Sequence, residues 1–67
     1  MNRIDRNEPT KVTVRTKSDK FLGGHYDSFN SIDRVKSFVR NKYPNYSIVD
    51  VTISQDNGYY KNFKVKS

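Results

Sequence analysis

Cysteine is absent from all 67 residues, so no disulfide can brace the chain. Very small secreted domains usually depend on such bridges, and their absence points to a reducing compartment, with a cytoplasmic location expected. Long apolar runs are missing as well, since nowhere do six apolar residues stand in a row. The opening stretch, Met1 to Glu8, has no apolar run behind its charges. Neither a signal peptide nor a membrane span is therefore expected. Without secretion, the sequon Asn45-Tyr46-Ser47 carries no meaning.

Signatures of catalysis and of cofactor binding are lacking too. Gly23-Gly24 is followed by no Lys-Ser/Thr pair and by no helix start, so it reads as a strand bulge and not as a phosphate loop. His25 is the only histidine, and with no cysteine and only Asp27 nearby it has no partners for a metal site. Two residues apart on an extended strand, His25 and Asp27 share a side, yet no serine is placed to be activated by them. No catalytic residue, cofactor or metal is assigned, and a domain this small has little room for a deep pocket, so no enzymatic activity is expected.

What is present is enough for one domain. A chain of this length buries only about 60% of the surface that its unfolded form exposes, which limits it to a single thin core. The apolar fraction of 33% is low, but nine aromatic residues and many Val and Ile argue against disorder from the middle of the chain to its end. A core this thin suits a protein completed by a partner or by a second copy of itself.

The net charge of +6 is unevenly placed. Residues 1–9 are neutral overall, whereas residues 10–20, 31–43 and 61–67 carry +3 each. Residues 21–30 and 44–60 return −1 and −2. The cations thus belong to the ordered elements and not to a tail.

Residues 1–9 are polar and mixed in charge and end at Pro9, which reads as a flexible arm preceding a single domain over 10–67. From Thr10, the residues Val12, Val14 and Thr16 alternate with Lys11, Thr13, Arg15 and Lys17, the period of a half-buried strand. A turn near Ser18-Asp19 leads into a second strand, Phe21 to Tyr26. Its register is open: a three-residue loop at 18–20 sets Leu22 and Tyr26 beside the valines, a four-residue loop sets Phe21 and His25 there, and a bulge at Gly23-Gly24 turns both apolar side chains inward.

Ile32, Val35, Phe38, Val39 and Tyr43 fall on one side of a 3.6-residue spiral, the pattern of an amphipathic helix. Asn30 or Ser31 caps it, Asp33 favours its positive end, Phe29 staples its entry, and Pro44 stops it near Lys42 or Tyr43. Alternation returns from Ile48 to Ser54, and a final strand runs from Tyr59 to Lys66. Between them a two-residue Asn57-Gly58 turn would set Lys66, Lys64 and Asn62 opposite Val49, Val51 and Ile53. A three-residue loop with Gly58 left-handed instead pairs Val49 with Val65, Val51 with Phe63, and Asp50 with Lys64 as an ion pair, and is preferred.

The expected fold is α+β: a small antiparallel sheet in the order ββαββ with one amphipathic helix packed on one face. The alternative is βαββ, with residues 18–29 as an irregular loop.

Strand parity assigns the face away from the helix. It carries Lys11, Thr13, Arg15 and Lys17 from the first strand, and Asp50, Thr52, Ser54, Tyr60, Asn62, Lys64 and Lys66 from the last two. Cations neutralise phosphates with counterion release and a ring stacks on an unpaired base, so this composition suits nucleic acid. An ordinary solvated sheet face has similar content, with lysines guarding its edges.

A secondary basic strip, Lys36 and Arg40, flanks the apolar stripe of the helix, with Arg34 and Asn41 on the far side. A single helix excludes a helix-turn-helix, and no aromatic RNP strand, GxxG loop or Cys/His finger is present. The expected function is a non-catalytic binding module for RNA, single strands or a nucleic-acid-protein complex, with little sequence preference. Its expected site is Lys11, Arg15, Lys17, Tyr60, Lys64 and Lys66. The alternative is a small regulator or inhibitor, of the sort that phages and mobile elements encode. Such a protein docks on an acidic protein partner through a strand edge or through Phe21, Tyr26 and Tyr59, and a homodimer falls in the same class.

Overall fold

The computed structural model describes residues 4–66. Four seven-residue strands and one helix follow one another as β1 (Thr10–Thr16), β2 (Phe21–Asp27), α1 (Ile32–Lys42), β3 (Ile48–Ser54) and β4 (Tyr60–Lys66). The sheet is antiparallel throughout, in the order β2-β1-β3-β4. Since residues 21–27 pair with β1 along their length, the three-stranded alternative does not apply. Both β2 and β3 run antiparallel to β1, so α1 is the crossover that carries the chain past the central strand.

Alternation builds the core. Val12, Val14, Val49, Val51, Ile53 and Val65 point to one face of the sheet and meet Val35 and Val39 of α1, with Phe29 closing one end. Seven of these nine residues are valine. β-branched side chains suit the strands but lower helix propensity, by up to about 0.7 kcal/mol each at Val35 and Val39. Burying each one contributes about 1.5–3 kcal/mol, so packing decides their place in the helix. Ser31 is the N-cap, its Oγ accepting the Arg34 N–H at 3.3 Å, and the Tyr43 N–H donates to the Val39 carbonyl at the other end.

The two hairpins share one turn plan. In the second, the Gly58 N–H donates to the Gln55 carbonyl, the Gln55 N–H to the Tyr59 carbonyl, and Gly58 is left-handed at φ 94°. Val49 faces Val65, Val51 faces Phe63 and Asp50 faces Lys64, the register of the bulged loop. The first hairpin repeats the pattern with Thr16, Asp19 and Lys20 in the equivalent places, Asp19 taking the left-handed position at φ 69°. Its loop is thus 17–19, and neither register expected from sequence applies over the whole strand. Val12 faces His25 and Val14 faces Gly23, and a bulge then sets Arg15 against Phe21. The bulge turns only Leu22 inward; Phe21 and Tyr26 stay exposed.

Residues 4–8, expected to be part of a flexible arm, are tied to the end of β3. Gln55 accepts the Asp5 N–H at 3.0 Å through Oε1, and its Nε2 donates to the Asp5 carbonyl at 2.8 Å and to Thr10 Oγ1 at 2.9 Å. Ile4 packs on the core. Residues 1–3 of the expected arm lie outside the described residues.

Candidate functional site

The face of the sheet opposite α1 is ordered by register into rows that cross all four strands. One row reads Tyr26, Lys11, Ser54, Tyr60; the next Gly24, Thr13, Thr52, Asn62; the third Phe21, Arg15, Asp50, Lys64. Ile48 and Lys66 begin a fourth on β3 and β4. With neighbouring strands about 4.8 Å apart, Tyr26 and Tyr60 stand roughly 14 Å from each other, with Lys11 between them.

Among the described residues, three large apolar side chains are strongly exposed, Phe21 at 57%, Tyr26 at 71% and Tyr60 at 66%, and all three lie on this face. The middle row is short and uncharged, and it lies in a shallow depression of about 350 Å³ lined by Thr13, Arg15, Asp19, Asp50, Thr52 and Asn62. Asn62 Nδ2 donates to Thr52 Oγ1 at 2.9 Å and to the Val51 carbonyl at 3.2 Å, which fixes the floor. A Cβ added at Gly24 would meet only ordinary contacts, 3.7 Å from the end of the Phe21 ring and 4.0 Å from the Val12 carbonyl, so that ring reaches over Gly24. The face thus sets a low floor of hydroxyl and amide groups between one row with two rings and a cation and another with a ring, two cations and Asp50.

Most residues expected at the site come together here: Lys11, Arg15, Tyr60, Lys64 and Lys66 share the face. Lys17 does not, because β1 ends at Thr16; it lies in the turn and lines a separate depression with Lys20, Asn45 and Tyr46. Asp50 faces Lys64 and Arg15 in register, but the expected Asp50–Lys64 ion pair is not formed. The ion pair present among the described residues is Arg15 with Asp19, at 3.9 Å on the surface. Screened and exposed, it contributes little, and it leaves Lys11, Lys64 and Lys66 without a carboxylate partner among the described residues.

Lys36 and Arg40, the secondary strip, are engaged by β4. The Lys36 ammonium lies 5.9 Å from the centre of the Phe63 ring, and Arg40 Nε donates to the Lys66 carbonyl at 2.9 Å. These two cations fasten the helix to an edge strand.

Phe21 and Tyr26 were not among the residues assigned to nucleic acid from sequence. Parity could not place them, because the bulge at Leu22 breaks the alternation on which parity depends. Gln55 and Thr10, the buried polar pair at the end of the core, did leave a signal. Each continues the inward parity of its strand, Gln55 after Val49, Val51 and Ile53, and Thr10 before Val12 and Val14.

His25 belongs to the opposite, helix-side face. Its Nε2 shares a 2.7 Å hydrogen bond with the Tyr43 hydroxyl, which also lies 3.3 Å from the Leu22 carbonyl. Asp27 accepts the Ser28 N–H and is not bonded to His25. No group of three His, Cys, Asp or Glu residues able to hold a metal occurs among the described residues. No described helix is long and apolar enough to cross a membrane. No protein-family model, curated protein or solved structure matches this chain.

Proposed function

We propose that this protein is a non-catalytic module that binds RNA or single-stranded nucleic acid on the outer face of its sheet, with little sequence preference. The observation that carries this reading is the shared placement of Phe21, Tyr26 and Tyr60 with Lys11, Arg15, Lys64 and Lys66. Lysine and arginine meet phosphates, and exposed rings stack on bases that a duplex would keep covered. Three rings left in water on one small face have no role in the core, and each base stacked on such a ring contributes about 1–3 kcal/mol.

Fluorescence anisotropy with labelled oligouridine and oligodeoxythymidine, repeated over a salt series, tests the reading. Binding should weaken linearly on a log–log plot of affinity against salt, with a slope of about −0.7 for each phosphate neutralised. Replacing Lys11, Arg15 and Lys64 together by Gln should flatten that slope by about two units. Absence of binding at low salt contradicts the reading.

A second reading is favoured by the difference between the sheet edges. β4 carries Lys61, Lys64 and Lys66, which discourage pairing with another strand, whereas β2 has no lysine and exposes Phe21 and Tyr26. Under that reading β2 docks a protein partner or a second copy. Sedimentation of the purified protein in nuclease-treated buffer tests the second copy, and a monomer at all concentrations counts against it.

A further inference from the structure

Away from the sheet face, a depression of about 430 Å³ opens between the segment before β1, the β2–α1 connection and the outer side of α1. Its lining includes Arg6, Ser28, Asn30, Arg34, Ser37 and Phe38. Its two arginines come from different parts of the chain, Arg6 held near the fold by the Gln55 tether on Asp5, and Arg34 by the helix. Neither forms an ion pair among the described residues.

The chain neighbours of these residues include Asp5, Asp27 and Asp33, yet no Asp or Glu is among the described residues that line the depression. Asp27 is turned to the Ser28 N–H at 2.7 Å, and Asp5 Oδ1 accepts the Asn7 N–H at 2.9 Å. Among the described residues, the lining thus includes two arginines and no Asp or Glu, together with Ser28, Ser37 and Asn30. The helix amides are not its anchor, since the Arg34 N–H is bonded to the Ser31 cap.

One wall is aromatic. Phe38 stands edge to face with Phe29 at 5.5 Å and with His25 at 5.2 Å, which holds its ring in place. A volume of this size accommodates a small molecule, and arginine recognises phosphate through two parallel N–H donors.

We infer that this depression is a binding site for a mononucleotide-class ligand, with Arg6 and Arg34 on the phosphate and the Phe38 ring against the planar body. The site is separate from the outer sheet face, and failure of oligonucleotides to bind that face leaves it standing. Hydroxyls at Ser28 and Ser37 supply the neutral donors that complete recognition of phosphate oxygens.

The test is a titration of the full chain with adenosine monophosphate, followed by the amide resonances of residues 28–38, with adenosine, inorganic phosphate and sulfate run at matched ionic strength. Saturable shifts in that segment with a Kd of about 1 mM or tighter are expected for the nucleotide, and none for adenosine. Inorganic phosphate should bind several-fold more weakly, because it forgoes the ring. Arg6→Gln and Arg34→Gln, both at exposed positions, should each weaken binding about tenfold while leaving thermal unfolding unchanged. Arg15→Gln, on the other face, should change nothing. No saturable shift, equal response to adenosine, phosphate or sulfate, or indifference to both arginine substitutions would overturn the proposal.

Discussion

Gly23 and Gly24 are adjacent in β2 but face opposite sides of the sheet, and their side-chain hydrogens have different work to do. A Cβ on Gly23 would lie 2.6 Å from the Tyr43 hydroxyl, whereas one on Gly24 meets only ordinary contacts. Gly23→Ala should therefore push Tyr43 off His25 and the Leu22 carbonyl and cost about 1–3 kcal/mol in urea unfolding. Gly24→Ala should be neutral or slightly stabilising in the same experiment. Gly58 has a conformational reason to be glycine, at φ 94° in the second turn. Replacing it by Ala should cost about 1 kcal/mol, read from the urea midpoint. Asp19 occupies the equivalent place in the first turn, a position that Asp tolerates better than most residues.

At the scale of elements, Gln55 joins the start of the described chain to the end of β3 through a side chain that is almost fully buried. Gln55→Leu keeps the volume but leaves the Asp5 amide and the Thr10 hydroxyl unpaired. A loss of about 1–3 kcal/mol is expected, with hydrogen exchange at the Asp5 amide becoming fast while β3 stays protected. An unchanged exchange rate at Asp5 would show that the tether is not what holds residues 4–8.

The elements themselves were largely legible in the sequence. Alternation marked β1, β3 and β4, the 3.6-residue spacing and Pro44 bounded α1, and the conflict between lysines and valines selected the bulged second turn. Three features were not. The position of β1 between β2 and β3 depends on long-range pairing that local periodicity does not encode, and the bulge at Leu22 removed the parity that would have placed Phe21 and Tyr26. Lys36 and Arg40 read as a free basic strip because contacts made across elements, to Phe63 and to the Lys66 carbonyl, have no sequence period.

For the whole molecule, the sheet separates two chemistries. Valines and α1 occupy one face, and rings, hydroxyls and cations with few carboxylate partners occupy the other. The net charge of +6 attracts polyanions at a distance, but it is the face that would decide where they rest. Lys11 stands between two exposed tyrosines, while the carboxylates of Asp19 and Asp50 lie near the Arg15 end. Affinity should thus fall more with Tyr26→Ser or Tyr60→Ser than with Arg15→Gln, by about five-fold or more for each lost ring in anisotropy at fixed salt. The most direct measurement is a map of amide and tyrosine-ring resonances during titration with a short oligouridine. With an oligouridine that lacks terminal phosphates, the largest shifts are predicted in the rows Tyr26–Lys11–Ser54–Tyr60 and Phe21–Arg15–Asp50–Lys64; shifts centred on α1, or none at saturating RNA, would contradict the assignment of that face.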